Sequence, residues 1–177
     1  MQKFDPSNSE ISIFTYKEGL LSAMAHDLKI GVTDFIAQFH PDQKKIQATI
    51  KASSLRVINA MKSGQESPGT LSDSNKQEIE ASIVKDVLHS QKYPEITFDS
   101  TYSQSQEHHL EVNGTLSLHG QNRLISFTAS KKNDQWEAQI KLNQPDFGIK
   151  PYTAMFGTLK VQPELLVIIR IPSMAQI

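Results

Sequence analysis

Apolar and polar residues alternate with a period of two over most of the chain. The cleanest run is Trp136-Glu137-Ala138-Gln139-Ile140-Lys141-Leu142, in which every second residue is apolar. A period of two marks a strand with one dry face and one wet face. The same pattern predicts strands over residues 28–33, 46–52, 96–99, 112–118 and 125–129. Two further strands are predicted with less regular faces. Residues 10–16 carry Ile11 and Ile13 on one side but Phe14 and Tyr16 on the other, and residues 165–171 begin apolar on both sides. These two are expected to lie beside each other or beneath another element.

Turn residues separate the strands. Pro41-Asp42-Gln43, His119-Gly120-Gln121-Asn122 and Lys132-Asn133-Asp134 are short enough to close hairpins. About eight amphipathic strands joined this way predict an antiparallel barrel or a sandwich. One helix interrupts them, predicted over residues 75–89. Ser74 and Gln77 have capping-box spacing, and Ile79, Ile83 and Val87 recur every fourth residue with Val84 and Leu88 beside them. Residues 56–73 are polar, contain Gly64, Pro68 and Gly69, and read as a long loop. No second compositional regime appears, so residues 1–177 are read as one domain.

Composition narrows the classes of function. Eighteen Lys and Arg against nineteen Asp and Glu give a formal charge of −1, a poor balance for a general polyanion binder, so no nucleic-acid partner is expected. The sequence contains no cysteine, which removes disulfides, thiolate metal sites and cysteine nucleophiles. No run reaches the roughly 18 apolar residues of a membrane-spanning helix. The start, Met1 to Pro6, has no apolar core of a secretory signal, and a cytoplasmic location is expected, or a periplasmic one if a leader has been removed.

Catalytic and metal motifs are lacking. Neither a glycine-rich phosphate loop, a Gly-x-Ser-x-Gly elbow nor a His-Glu-x-x-His pair occurs. No catalytic residue, metal ligand or cofactor is therefore assigned, and the chain is not read as an enzyme. Of the six histidines, His40, His89, His108, His109 and His119 read as residues of turns or element ends. His26-Asp27 follows the small, apolar stretch 19–25, and reads either as a polar handle at a pocket mouth or as a loop-fixing hydrogen bond. Residues 147–157 are rich in glycine and aromatics. Phe147, Tyr152, Met155 and Phe156 there are either a plug of core side chains or a gate against an apolar ligand.

Five segments together resemble the YceI-like family of lipocalin-like, polyisoprenoid-binding proteins. They are Phe4-Asp5-Pro6 with Ser9 to Ile13, Gly19 through His26-Asp27-Leu28, Lys92-Tyr93-Pro94 through Thr101, Gly114 through Gly120 with Ile125 and Phe127, and Asp146-Phe147-Gly148-Ile149. The resemblance implies an all-β, eight-stranded antiparallel lipocalin-like barrel, a helix near one end and a long apolar cavity. It further implies binding, as carrier or store, of an isoprenoid, quinone or fatty chain.

In such a barrel the apolar face points inward. Alternation then nominates Ile11, Ile13, Leu28, Ile30, Val32, Ile50, Phe98, Leu116, Phe127, Trp136, Ile140, Val167 and Ile169 as lining, with His26 as polar contact. The same residues would serve as solid core in a side-chain-filled barrel acting as a protein-interaction scaffold, with 56–73 as its contact surface. A lipid-modifying enzyme with His26 as base ranks third. Oligomeric state is left open between a monomer and a homodimer.

Overall fold

Each predicted alternating segment becomes a strand. The protein, described here as a computed structural model, is defined over residues 1–18, 26–106, 108–154 and 159–173. In chain order the strands are β1 (Gln2–Phe4), β2 (Glu10–Thr15), β3 (Lys17–Glu18), β4 (Asp27–Val32), β5 (Phe35–His40), β6 (Lys45–Lys51), β7 (Leu55–Lys62) and β8 (Gln65–Ser67). Helix α1 (Asp73–Ser82) follows, continued by one wide π turn, Ile83–Val87. Then come β9 (Glu95–Gln106), β10 (His109–Leu118), β11 (Gln121–Lys132), β12 (Gln135–Asn143), β13 (Thr153–Ala154), β14 (Leu159–Val161) and β15 (Glu164–Pro172). Twelve strands form one antiparallel sheet in the order β1-β5-β6-β9-β10-β11-β12-β15-β2-β4-β7-β8, and β13-β14-β3 form a small second sheet. The main sheet curls into a half-barrel, with its apolar face inside.

Twelve strands, not the expected eight, make up this sheet. The additional ones are β1, β5, β7 and β8. Two are continuations of predicted strands past a bend. β4 runs into β5 through Thr33 and Asp34, and β6 runs into β7 through the 3-10 turn Ala52–Ser54. Thr33 donates to the Ser54 carbonyl from both its backbone N–H (3.0 Å) and its hydroxyl (2.8 Å), which locks the two bends together.

The expected loop over 56–73 is also corrected, since β7, β8 and the helix start occupy much of it. Its strand signal is broken by a bulge. Lys29 faces Asn59 and Ile30 faces Val57, so Ile58 is the extra residue. One extra residue reverses the alternation, which puts Val57 and Ala60 both inside and leaves Ile58 38% exposed.

Helix α1 ties down this bulge. Glu80 Oε1 accepts from the Val57 N–H at 2.8 Å, and Lys76 Nζ donates to the Ile58 carbonyl at 2.7 Å. The helix begins two residues before the expected start. Ser72 is the N-cap, its hydroxyl accepting from Asn75 N–H at 3.1 Å while the Asn75 side chain accepts from Ser72 N–H at 3.3 Å. The Ser74–Gln77 box does not form, because Ser72 reaches the N3 amide first.

The wet face carries a chain of charges across the sheet. Lys132 on β11 reaches Glu137 on β12 (2.8 Å), Arg170 on β15 reaches Glu137 (2.9 Å) and Glu10 on β2 (3.5 Å), and Lys29 on β4 reaches Glu10 (3.6 Å) and Glu66 on β8 (2.7 Å). Hydrogen bonds from Lys132, Arg170 and Gln139 pull the Glu137 carboxyl down to about 2. A depressed carboxylate stabilises the fold above its unfolded value near 4.5, and that stability is lost as pH falls towards about 2. Glu137→Gln is therefore expected to flatten the acid limb of a urea-midpoint profile between those values. An unchanged limb would mean the network adds nothing proton-linked.

Packing against the neighbouring strand needs Gly114. A Cβ there would sit 2.4 Å from Ser100 Cβ and 2.7 Å from the Asp99 carbonyl oxygen. Both contacts are with β9, which cannot yield without breaking its ladder. Gly114→Ala is expected to cost about 1–3 kcal/mol by urea denaturation, and a neutral effect would show that β9 and β10 can spread.

Candidate functional site

The inward faces enclose a cavity of about 290 Å³. That volume is about tenfold a water's share of liquid and at the lower end of small-molecule sites. Its wall is almost wholly apolar, with Ser9, Thr15, Gln38 and Gln144 the polar lining residues. Small residues keep it hollow. Ala37 faces Ala48 across β5 and β6, and Ala129 faces Ala138 across β11 and β12, all four on the lining. Larger side chains there would meet in the middle and fill the space.

The two ends differ. At one end Phe4, Phe39, Tyr102, Leu110, Val112 and Trp136 form a core cluster, with Phe39 and Tyr102 stacked at 4.7 Å between ring centres. At the other, Ile83 and Val87 from the π turn and Leu88 just after it meet Phe147 and Ile149. Phe147 ends the 3-10 turn Gln144–Phe147, and Gly148 takes a left-handed φ of 67° that lets the chain double back. Buried Gln144 holds this turn by donating from Nε2 to the Gln162 carbonyl at 3.0 Å. The turn sits against β11 where the wall loses its ladder, because β11 and β12 pair only over 129–132 and 135–138.

A histidine pair fastens the helix end. His119 Nδ1 lies 3.2 Å from the Phe147 carbonyl, and its Nε2 lies 2.9 Å from His89 Nδ1. The carbonyl can only accept, so His119 carries its proton on Nδ1 and accepts from His89 through Nε2. Tyr93 packs on the His119 ring at 4.5 Å. Burial pushes the His119 pKa below its ordinary 6.5, the Phe147 carbonyl opposing this and the nearby His89 and Lys92 adding to it.

Of the nominated residues, Ile11, Ile13, Ile30, Val32, Ile50, Phe98, Leu116, Phe127, Trp136, Ile140, Phe147, Val167 and Ile169 border this one cavity. Leu28 shares their parity but packs against the core cluster beyond the void. Tyr152 is exposed and away from the lining. Met155 and Phe156, like residues 19–25, lie outside the described residues. His26 is exposed and does not border the cavity, so the expected polar contact is not placed there. Its neighbour Asp27 accepts from the Lys17 N–H at 2.8 Å and so anchors β3 to β4.

Lining residues missed in the sequence include Phe4, Phe35, Phe39, Leu55, Ile83 and Leu88. Phe35-Ile36-Ala37-Gln38-Phe39 does alternate, and that signal could have found β5. Leu55 lay hidden beside the bend and bulge. Nothing local says that the helix end closes the cavity.

The sequence profile of the YceI-like domain matches residues 2–171. No curated protein sequence matches the chain at a significant level. Among solved structures, Burkholderia cenocepacia BcnA superposes with a TM-score of 0.64 at 16% identity, over 92% of this chain and 94% of that one. The Campylobacter jejuni YCEI protein gives 0.56 at 19% identity, over 83% and 84%. A polyisoprenoid binding domain from Saccharophagus degradans, implicated in plant cell wall breakdown, gives 0.52 at 10% identity, over 93% and 94%. These similarities share the fold.

The lowered pKa of His119 links stability to pH. A histidine whose folded pKa is lowered stabilises fully above its unfolded value, near 6.5, and loses that stability as pH falls through the folded value. The wild-type melting temperature is expected to fall as pH drops below about 6.5, and His119→Phe, which keeps a ring on Tyr93, is expected to flatten that fall. Parallel profiles would remove His119 from the proton linkage.

Proposed function

The chain belongs to the YceI-like domain family, and from that premise we propose that it binds one long apolar chain inside the curled sheet, as a carrier or store. An isoprenoid, quinone tail or fatty chain is the class of ligand. The observation that carries this is the cavity of about 290 Å³ with its apolar wall. A structural relative described as a polyisoprenoid binding domain supports the same class. We read each bent pair, β4–β5 and β6–β7, as one long strand; with β2, β9, β10, β11, β12 and β15 the sheet order then runs round as a lipocalin-like barrel of eight, to which the short strands β1 and β8 are edge additions. An extended ligand would then lie along the barrel axis.

Affinity in such a site comes from area removed from water. Each buried methylene adds roughly 0.8 kcal/mol before ordering costs are subtracted. Binding should therefore strengthen with chain length until the cavity is full and then level off. The filled-barrel scaffold lacks a supporting observation, because the interior is hollow and much of 56–73 is strand and helix. The role proposed is binding and not catalysis. His26 does not border the cavity, and Asp27 is committed to the Lys17 amide.

Native mass spectrometry of purified protein, followed by organic extraction and lipid identification, tests the reading. A stoichiometric apolar chain, or uptake of added farnesol, is the expected result. A protein that takes up no apolar chain of any length would end it. Ala138→Phe, placed on the Ala129–Ala138 pair, is expected to lower farnesol affinity at least tenfold while far-ultraviolet circular dichroism stays native.

A further inference from the structure

Two neighbouring strands of the wall are joined over less than half their length. β11 has twelve residues and β12 has nine, yet they share four pairs, from Ala129–Ala138 to Lys132–Gln135. Both are held firmly on their other sides, where ten pairs join β10 to β11 and nine join β12 to β15. Beyond Ala129 and Ala138 no ladder joins residues 121–128 to residues 139–143. Side chains on the outer rim of this seam bond away from it. Ser126 Oγ donates to Asn113 on β10 at 2.7 Å, Gln139 Nε2 donates to Glu137 on its own strand at 3.1 Å, and Lys141 Nζ lies 3.0 Å from Glu164 on β15.

The seam has defined bounds. Its closed end is the Ala129–Ala138 pair. At its other end the turn Gln144–Phe147 leaves β12 and meets the start of β11. There the Phe147 carbonyl meets His119, and a Cβ on Gly148 would lie 3.9 Å from Gln121 Cγ. The edges carry cavity lining, Ile125 and Phe127 on β11 and Ile140 and Leu142 on β12. Leu124, on the outward parity of the same stretch, is 86% exposed. An apolar residue on the outer surface and the apolar inner wall therefore meet at one unladdered stretch of β11.

We propose that the seam between β11 and β12 is a lateral entrance, through which the apolar chain passes sideways into the cavity and out again. Parting other long neighbours in the wall breaks ladder hydrogen bonds, and parting β11 from β12 beyond the alanine pair breaks none. The two ends of the cavity are closed by packing, one by the cluster around stacked Phe39 and Tyr102, the other by the helix end against Phe147 and Ile149. This inference rests on the apolar-chain reading above and adds to it the route the ligand takes.

The test bars the seam from outside. Continued past Ala129–Ala138, the register would set Ser126 opposite Lys141, both on the outward parity. The chain has no cysteine, so Ser126→Cys with Lys141→Cys supplies the two thiols that a short bis-maleimide can bridge. The control is the same variant capped with N-ethylmaleimide on both thiols. Association and dissociation of tritiated farnesol are measured for each. A barred entrance is expected to slow both rates by about tenfold and leave Kd unchanged, since a gate alters the path and not the bound state. Rates equal to those of the capped control, or a weakened Kd with association unchanged, overturn the entrance and leave the carrier reading standing. If the capped control does not fold, Thr128→Cys with Gln139→Cys, the next outward pair towards the alanines, takes its place with the same expected outcome. Failure of farnesol to bind wild-type protein ends the carrier reading and the entrance with it.

Discussion

Two hydrogen bonds from Thr33 to the Ser54 carbonyl hold the bend on which the architecture depends. The Lys51 N–H donating to the Asp34 carbonyl at 3.0 Å secures the same corner, and Ser54 Oγ donates to the Lys51 carbonyl at 2.7 Å. Because of the corner, one hairpin serves two neighbours. Its β5–β6 arm joins β9, and its β4–β7 arm joins β2. A straight hairpin would leave one of those edges bare and the sheet flatter. A sheet with no second layer must cover its own apolar face, and curling is the way to do so.

Curling makes an interior, and the choice of side chains keeps it open. The alanine pairs on β5–β6 and β11–β12 face the void at positions where branched residues would interdigitate. Around them Phe98 and Ile169 pack against both core clusters and join the two ends into one space. The cavity is closed by different means at its ends. The helix end is a mosaic of a π turn, a 3-10 turn and a histidine pair. The other end is strand termini and stacked rings.

Stabilisation of the wet face is separate from the chemistry of the dry one. The charges from Lys132 to Glu66 sit on six strands and span seven, β7 lying between β4 and β8. Exposed pairs of this kind contribute modestly one by one, yet here Glu10, Glu137, Lys29 and Arg170 are shared links that tie sequence-distant strands. The interior can stay hollow because register is also held from outside.

Strand identity was legible wherever neighbouring residues alone decide it. The run 136–142 predicts its own inward set, and Trp136, Ala138 and Ile140 are buried as alternation requires. The five family-like segments carried the family as well. Apart from β5, whose own alternation over 35–39 carried a local signal, what failed to read were features set by contact between distant residues. The bulge at Ile58 reverses parity in mid-strand, Asn75 moves the helix start to Ser72, and the Thr33–Ser54 corner splits two strands in two. His26 and Tyr152 looked like site residues by composition, yet only the curled sheet decides which side of the wall a residue reaches. Sequence alone thus determined an alternating, all-β chain with an apolar inner face. The tertiary structure decided that this face encloses a void, which side chains close it, and that β11 and β12 stay unladdered beyond Ala129 and Ala138, because hollowness and pairing are properties of distant residues brought together.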